Sequence, residues 1–317
     1  MKMEKLPIII IGGPTACGKT DIAIQLAKSI GGEVISADSM QVYRYMDIGT
    51  AKATREEMRG IPHHLIDILD PDEDYSVAAF QRLAVEAIEA ITAKGKIPII
   101  AGGTGFYLNA LLYGTDFIDM EKDENLRGKY QQMAEKQGPA YLHGLLEQVD
   151  PAAASAIPFQ NVKRVIRALE FFEQTGTRIS DHNQRERANR APRYRAFTVI
   201  VSAERPVIYG RINRRVDRMI EKGLLQEVQA LMDRGYHENL TSMQGLGYKE
   251  IVGYLKGRTT LSEAIELLKQ GTRHFAKRQL TWFRRQIDGL WIDGTERSAL
   301  ETAQGLAADF IRYMKND

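Results

Sequence analysis

The chain has 317 residues, of which 44% are hydrophobic and 26% charged, and its 43 Lys and Arg against 41 Asp and Glu give a net charge of +2. This composition is that of a globular protein with one large domain and room for an insertion or a small second domain, and no apolar run reaches the ~20 residues that cross a bilayer. A single cysteine, Cys17, excludes an intramolecular disulfide and a cysteine-rich zinc cluster. Residues 1–5 lack the apolar stretch of a signal peptide, so we expect a cytoplasmic protein with no membrane partner. We also expect a monomer.

The N-terminal pattern predicts a strand, a phosphate-binding loop and a helix, in that order. An isoleucine run over residues 8–11 indicates a buried strand, and residues 20–30 place apolar side chains at helical spacing. The loop between them turns backbone N–H groups, a helix N-terminus and a lysine toward a phosphate, so a diphosphate or polyphosphate is the predicted ligand. It matches every fixed position of G-x-x-x-x-G-K-[ST] with Gly13, Pro14, Thr15, Ala16, Cys17, Gly18, Lys19 and Thr20.

A second strand, over residues 33–37, leads directly into Asp38. Strand, helix and strand at this spacing form a right-handed crossover, so the strands are parallel. Asp38 is therefore expected at the carboxyl end of a strand, beside the phosphate-binding loop, where α/β sheets place their ligands.

A second glycine turn follows a third predicted strand. Residues 48–74 lack a regular pattern, and their pair His63-His64 has no third ligand at a recognisable spacing, so a structural role is favoured over a metal site. Residues 76–94 predict an amphipathic helix capped by Ser76. The strand over residues 97–101 then ends in Gly102-Gly103-Thr104-Gly105. Leu108 replaces the last glycine of G-x-G-x-x-G, so a dinucleotide site is not indicated.

The composition changes near Gly114. Residues 115–195 predict short helices, over 125–137, 138–148 and 161–175, before a strand pattern returns at 197–201. We therefore predict an α/β fold, with a parallel-sheet core flanked by helices from residues 1–114 and 196–317 and an all-helical insertion over 115–195. Further elements are expected in the core: helices over 205–222, 224–233, 248–256, 261–287 and near 300–313, and a strand over 290–293.

Basic residues cluster over residues 185–195, 205–218 and 273–285, although the total charge is balanced. Such clusters can neutralise the phosphates of a polyanion, yet each one alone is favoured to be a solvated face. The third cluster lies on a predicted helix whose adjoining side is apolar, with Ala276, Leu280, Phe283 and Ile287.

A phosphate-binding loop is typical of nucleotide hydrolysis and phosphoryl transfer, but one expected residue is missing. Such enzymes hold magnesium with an acid at the end of a second apolar strand, whereas the strand over 97–101 ends in Gly102-Gly103. Asp38 is the only strand-terminal acid near the loop. Its carboxylate could help to place magnesium or could accept a proton from an acceptor substrate.

Eight segments, in order along almost the whole chain, resemble the tRNA dimethylallyltransferase family, also called tRNA isopentenyltransferases. One departure is Cys17, where the family commonly has serine, and we expect little effect because the loop works through backbone N–H groups. The segments are residues 13–20, 34–43, 46–52, 62–67, 102–107, 164–170, 245–249 and 276–284.

The resemblance implies transfer of a dimethylallyl group from dimethylallyl diphosphate to N6 of the adenosine 3′-adjacent to the anticodon. The loop residues, with Mg2+ held near Thr20 and with Arg211 as a further contact, would stabilise the leaving diphosphate. Asp38 would accept the proton of N6, and Thr104 and Gln41 would line the site of the flipped base.

The resemblance also implies a set of tRNA contacts, in which the helical insertion binds the anticodon stem-loop. The basic helix near the C-terminus would add phosphate contacts through Lys277 and Arg284. The cluster over 185–195 is equally well a solvated linker. The implied contacts are Asp38, Ser39, Met40, Gln41, Thr104, Arg127, Gln160, Asn161, Val162, Lys163, Arg164, Gly245, Gly247, Tyr248, Lys249, Lys277 and Arg284.

Two other functions are compatible with parts of the pattern. A small-molecule or nucleotide kinase would bind ATP at the same loop, and the sequence does not decide whether ATP also binds there. A non-catalytic RNA-binding module would keep the loop only for structure, and would then be indifferent to the loss of the Asp38 carboxylate.

Overall fold

The computed structural model describes residues 5–117, 123–188, 190–296 and 298–316. The expectation that the N-terminus is not a signal peptide concerns residues 1–5, of which 1–4 lie outside the described residues. Within these residues, six parallel strands form one sheet in the order β3-β2-β4-β1-β5-β6. The strands are β1 Pro7–Gly12, β2 Glu33–Ser36, β3 His63–His64, β4 Pro98–Gly102, β5 Arg195–Ser202 and β6 Leu290–Asp293.

Helices make up most of the remaining structure, and the predicted α/β class is confirmed. As predicted, Ser76 caps α2, since its Oγ accepts the N–H of Ala79 at 3.1 Å. The helices are α1 Lys19–Ile30, α2 Val77–Ala93, α3 Gly105–Tyr113, α4 Glu124–Gln137, α5 Pro139–Val149, α6 Pro151–Ala156, α7 Val162–Thr175, α8 Ile179–Ala188, α9 Arg205–Glu221, α10 Leu224–Asp233, α11 Tyr248–Leu255, α12 Leu261–Gln286 and α13 Ser298–Asn316.

Strand β1 is covered on both faces, which explains its unbroken apolar sequence. Ile8 and Ile10 are buried with Phe80 of α2 and Phe283 of α12, in a cluster on one face of the sheet. Ile9 and Ile11 belong to a second cluster, with residues of α1 and α13. Successive side chains of a strand point to opposite faces, so a strand between two helical layers has no polar side.

The strand order corrects one expectation about the site. Strand β4 pairs with both β1 and β2, so it lies between the strand that precedes the phosphate-binding loop and the strand that precedes Asp38. Asp38 is therefore one strand further from the loop than the sequence suggested, and the glycine turn after β4 occupies the intervening position. All three still lie at the carboxyl edge of the sheet, because the strands are parallel.

The chain divides into two compact units, Met1–Gly114 with Pro192–Asp317, and Thr115–Ala191. The second boundary differs by four residues from the predicted one, since Arg195 pairs with Pro7 in the sheet and the Arg193 N–H donates to the Leu112 carbonyl at 2.7 Å. The second unit contains α4 to α8 around its own apolar cluster, which includes Leu142, Leu146 and Val165. Helices α6 and α8 were not individually predicted.

Among the helices of the described residues, none combines the length and the apolar character that spanning a membrane requires.

Candidate active site at the carboxyl ends of the strands

The loop between β1 and α1 has a backbone that only particular residues can adopt. Gly13 has φ +149°, and a Cβ there would lie 2.2 Å from the Val201 carbonyl oxygen. Gly18 is left-handed at φ 99° and immediately precedes α1. Ala16 also has a positive φ, 63°, which costs about 1 kcal/mol or more for a residue with a side chain. The chain therefore holds a strained loop against the amino end of α1, the geometry that binds phosphate.

Three side chains of the loop that bear on its chemistry differ in exposure: Cys17 is buried, Lys19 is partly exposed and Thr20 is exposed. Cys17 is fully buried, and burial raises the pKa of its thiol, so it packs rather than reacts, as the sequence suggested. The Lys19 ammonium donates to the Pro14 carbonyl oxygen at 3.3 Å and so lies across the loop. Thr20 is exposed in the first turn of α1.

Two arginines of α9 reach this loop, and sequence analysis assigned only one of them to it. Arg211 donates to the Cys17 carbonyl at 3.4 Å, and Arg215 donates to the Thr15 hydroxyl at 3.3 Å. Burial lowers the pKa of the Arg215 guanidinium, which marks a cation that its surroundings solvate poorly. Arg215 was missed, although its spacing of four residues from Arg211 places both on one face of a helix.

Asp38 closes a turn at the end of β2. Its Oδ1 accepts the N–H of Met40 at 2.9 Å and that of Gln41 at 3.4 Å, so the backbone of the residues that follow fixes the carboxylate. The Gln41 side chain is held in turn, because its Oε1 accepts the Ser36 hydroxyl at 3.2 Å and its Nε2 donates to the Thr50 carbonyl at 3.4 Å. Hydrogen bonds thus hold the side chains of both Asp38 and Gln41 in place.

Thr104 lies at the start of α3, directly after the glycine turn. Its N–H donates to the Ala37 carbonyl at 3.3 Å, which joins this turn to the residue before Asp38. Its side chain makes no capping hydrogen bond to α3, although threonine commonly caps helices. Thr104 and Asp38 are therefore brought together through backbone contacts, and the Thr104 hydroxyl is not spent on its own helix.

The segment after Asp38 is anchored by a residue that sequence analysis missed. The Glu227 carboxylate of α10 accepts the N–H groups of Asp47, Ile48 and Gly49 at 2.9, 2.7 and 3.0 Å. It also accepts the Tyr248 hydroxyl at 2.8 Å. Nothing local in the sequence signals this contact, because its partners lie about 180 residues away.

The predicted RNA contacts near α11 differ in their exposure. Tyr248 is fully buried, so its side chain offers no face to RNA and instead supports residues 47–49; this corrects the expectation. A Cβ on Gly245 would meet the Met40 methyl group at 2.5 Å, which places Gly245 and Met40 in contact. Gly247 precedes α11 with φ 97°, and Lys249 is exposed.

Within the helical unit, most predicted RNA contacts form an exposed group at the amino end of α7. Asn161 caps the helix by accepting the Arg164 N–H at 3.4 Å. Arg127 behaves differently, because its Nε and Nη2 donate to the two carboxylate oxygens of buried Glu170 at 2.9 and 3.0 Å. Its fork is thereby engaged inside the unit. The exposed or partly exposed members of the group are Gln160, Asn161, Val162, Lys163 and Arg164.

Helix α12 combines a buried side with a basic exposed side. Ala276, Phe283 and Ile287 are buried as predicted, whereas Lys277 and Arg284 are exposed. One groove of about 520 Å³ is lined by this helix alone, and its walls carry cationic and aromatic side chains suited to an RNA backbone. They are His274, Lys277, Arg278, Thr281, Trp282, Arg285 and Gln286.

A buried polar residue of α12, Gln279, was also missed as a part of the site. Its Oε1 accepts the Thr15 N–H at 2.9 Å, and its Nε2 donates to the Gly103 carbonyl at 2.8 Å. The sequence did hold a signal, since Gln279 falls between Ala276 and Phe283 on a stripe that is otherwise apolar.

The fold and the site together define a class of α/β protein with a parallel sheet and a phosphate-binding loop after β1. In this class a hydroxyl, Thr104, follows the neighbouring strand β4, and a carboxylate, Asp38, follows the next strand, β2. The sequence profile of the IPP transferase family matches residues 41–286. The chain belongs to that family, as its motifs predicted, and is a transferase.

Curated relatives and solved structures agree with this assignment. The chain is 52% identical to the tRNA dimethylallyltransferase of Lachnoclostridium phytofermentans, over 90% of this chain and 91% of the relative. It is 53% identical to that of Carboxydothermus hydrogenoformans, over 93% and 94%. The Bacillus halodurans tRNA isopentenylpyrophosphate transferase structure is 43% identical and covers 99% of both chains, with a TM-score of 0.74. A eukaryotic dimethylallyltransferase described as acting on tRNA is 29% identical, with a TM-score of 0.82 over 97% of this chain and 80% of its own.

Proposed function

We propose that this protein transfers the dimethylallyl group of dimethylallyl diphosphate to N6 of the adenosine 3′-adjacent to the anticodon in tRNA, and releases diphosphate. One observation carries the proposal: a loop suited to a diphosphate and the Asp38 carboxylate share one edge of the sheet, joined by the glycine turn after β4. The names of the relatives supply the acceptor class, tRNA, and the dimethylallyl group.

The first requirement of this reaction is a stabilised leaving group. The bond between C1 of the dimethylallyl group and the diphosphate oxygen breaks, and its electron pair moves to that oxygen. Loop N–H groups, Lys19, Arg211 and Arg215 supply positive charge where the negative charge develops. Burial already weakens the solvation of Arg215, so an anion at the loop stabilises this cation as well.

Mg2+ fits the residues at the amino end of α1. The exposed Thr20 side chain offers a hard oxygen ligand, and magnesium in such sites takes few protein ligands and fills the rest with phosphate oxygens and water. Among the described residues, no group of three or more His, Cys, Asp or Glu is arranged to hold a metal ion, and in the proposed site the diphosphate would supply most of the ligands. Bound there, the ion would neutralise charge on the leaving diphosphate.

The second requirement is an acceptor amine that loses a proton as it forms the new bond. The N6 lone pair is delocalised into the adenine ring, so N6 becomes an effective nucleophile only as its proton departs. The second carboxylate oxygen of Asp38, Oδ2, takes that proton while Oδ1 stays bound to the Met40 and Gln41 N–H groups. The Thr104 hydroxyl and the Gln41 amide then orient the flipped adenine.

Most of the proposed tRNA contacts are exposed residues. The helical unit binds the anticodon stem-loop through the group at the start of α7, and Lys277 and Arg284 of α12 bind phosphates. Ser39, Met40, Gly245, Gly247 and Lys249 lie on the segments around the acceptor site. We also propose a monomer that acts in the cytoplasm, where its tRNA substrate is.

Mass spectrometry of tRNA nucleosides tests the proposal directly. Purified protein is incubated with unmodified tRNA, Mg2+ and dimethylallyl diphosphate, and in parallel with ATP in place of the diphosphate. We expect N6-dimethylallyladenosine only in the first reaction. ATP turnover without prenylated RNA would identify a kinase instead.

Two variants test the assigned roles. Asp38→Asn should lower turnover at least ~100-fold while tRNA binding is retained, since it removes the proton acceptor and leaves the turn intact. Asp72→Asn, an exposed carboxylate elsewhere, is the matched control. Lys19→Ala should raise KM for the diphosphate without changing tRNA affinity. A protein whose activities are all unchanged by Asp38→Asn would be a binding module.

A further inference from the structure

Gln279 connects two segments of the site that are distant in sequence. Its side chain is buried, and both polar atoms of the amide are used on opposite sides: Oε1 toward the Thr15 N–H of the phosphate-binding loop, Nε2 toward the Gly103 carbonyl of the glycine turn. Thr15 lies 264 residues from Gln279, and Gly103 lies 176 residues away. Buried amides are satisfied as a rule, but this one is satisfied only by functional segments.

The connection continues to the acceptor side of the site. The Thr104 N–H donates to the Ala37 carbonyl at 3.3 Å, and the Ala37 N–H donates to the Ala101 carbonyl at 2.8 Å. Ala37 immediately precedes Asp38. Hydrogen bonds, joined by the backbone of the glycine turn, therefore connect the loop through Gln279 to Ala37, the residue before Asp38.

The contact between Gln279 and the glycine turn is also tight. A Cβ on Gly103 would lie 2.4 Å from Gln279 Nε2, closer than any side chain permits. A side chain at position 103 would therefore force the Gln279 amide to move, whereas glycine leaves space for it beside the turn. The pairing of β1 with β4 holds the loop and the turn together as far as Gly12 and Gly102. Beyond that pair, the Gln279 side chain connects Thr15 of the loop with Gly103 of the turn.

We propose that Gln279 is a positioning residue: it fixes the phosphate-binding loop relative to the turn that carries Thr104, and so sets the separation of donor and acceptor. The inference rests on the proposed function and deepens it. Gln279 touches no reacting atom. Group transfer requires the reacting atoms about 3 to 3.5 Å apart and aligned, and a displacement of ~1 Å costs on the order of 100-fold in rate.

An amide is the only side chain of this length that meets both demands. The loop needs an acceptor for the Thr15 N–H, and the turn needs a donor for the Gly103 carbonyl. A glutamate can accept from Thr15, but it donates to Gly103 only when protonated. Methionine has a similar length and does neither.

Steady-state turnover of Gln279→Glu, measured against pH with wild type and Gln270→Glu, tests the role. Gln270 is exposed on the same helix, so its variant carries the same charge change outside the site. We expect kcat of Gln279→Glu to be about 100-fold below wild type at pH 8, with tRNA affinity within about twofold. The deficit should narrow as pH falls and the introduced carboxyl gains a proton, whereas that of Gln279→Met should not depend on pH.

Hydrogen exchange at the Thr15 amide gives a readout that does not need activity. Exchange should be fast in Gln279→Met, which lacks the acceptor, and slow in Gln279→Glu, which keeps it. A pH-independent deficit in Gln279→Glu, or kcat within about threefold of wild type in folded protein, overturns the positioning role. A wild type that yields no prenylated RNA overturns the proposed function and this inference with it, whereas an active wild type beside an equally active variant overturns the inference alone.

Discussion

Arg127 is where the family resemblance and the structure assign different tasks to one side chain. The resemblance implies a contact with tRNA. In the structure the guanidinium forms a two-pronged ion pair with Glu170, at 2.9 and 3.0 Å, and Arg167 adds a third hydrogen bond to the same carboxylate at 3.2 Å. The Glu170 side chain is 0% exposed, against 31% for Arg127 and 46% for Arg167. We predict that Arg127 primarily stabilises the helical unit.

The expected loss of stability depends on the hydrogen bonds that Glu170 keeps in Arg127→Ala. The buried carboxylate loses two charge-assisted hydrogen bonds and keeps one, from the more exposed Arg167. Breaking a buried ion pair costs about 3 to 5 kcal/mol. Because Arg167 still binds Glu170 and Arg127 is partly exposed, we expect a cost at the lower end, about 3 kcal/mol. That figure corresponds to roughly a 100-fold larger population of opened helical unit.

Hydrogen exchange with peptide-level mass spectrometry over residues 123–188 measures this directly, because the opening of one unit need not unfold the other. Arg127→Ala should raise exchange rates in α4 and α7 by about two orders of magnitude, with little change in the sheet. Arg164→Ala, exposed at the start of α7, is the control: it should weaken tRNA binding without altering exchange. Unchanged exchange in Arg127→Ala together with weakened tRNA binding would refute the structural role.

Three further predictions concern the unit that contains the sheet. Glu227→Gln should lower the free energy of unfolding by about 2 kcal/mol and slow turnover, since one amide oxygen replaces two carboxylate oxygens that accept three backbone N–H groups and the Tyr248 hydroxyl; calorimetry and kcat check this. Burial alone would raise the pKa of the Glu33 carboxyl, but hydrogen bonds from Lys96, His64 and Lys94 lower it to about 2. The ionised Glu33 carboxylate therefore adds about 3 kcal/mol to the free energy of unfolding above pH 4.5, and this contribution is lost as pH falls toward 2. The free energy of unfolding of Glu33→Gln, measured by denaturation, should be below that of wild type at pH 7 and equal to it at pH 2. Replacing Lys277 and Arg284 together by alanine should weaken tRNA binding and flatten its salt dependence; an unchanged slope removes α12 from the interface.

Local chemistry made much of the fold predictable. The bounds of α10 and β6 were predicted without error, and the capped start of α2 followed from a serine before an apolar helical pattern. The loop before α1 was evident because its glycines and lysine are contiguous in sequence. These features depend on residues within a few positions of one another, so the sequence displays them directly.

The remaining features depend on pairings between distant segments. The insertion of β4 between β1 and β2 is a matter of strand order, which alternation of side chains does not encode. Tyr248 is buried in an apolar cluster with its hydroxyl bound to Glu227, and the Arg127 guanidinium is bound to Glu170. A basic or aromatic residue in a motif has the same sequence signature whether it binds RNA or completes the interior.

The glycine turn after β4 shows how such pairings determine the chemistry. Phosphoryl-transfer enzymes often place an acid at this position, and the sequence has glycine at both 102 and 103. A Cβ on Gly102 would lie 2.1 Å from the Ala37 carbonyl oxygen, and one on Gly103 would lie 2.4 Å from Gln279 Nε2. A carboxylate side chain at 102 would therefore separate the turn from β2, and one at 103 would displace the Gln279 amide. The close approach that excludes an acid here is the same one that joins Thr104 to the strand end bearing Asp38, so the carboxylate of this site has to follow β2.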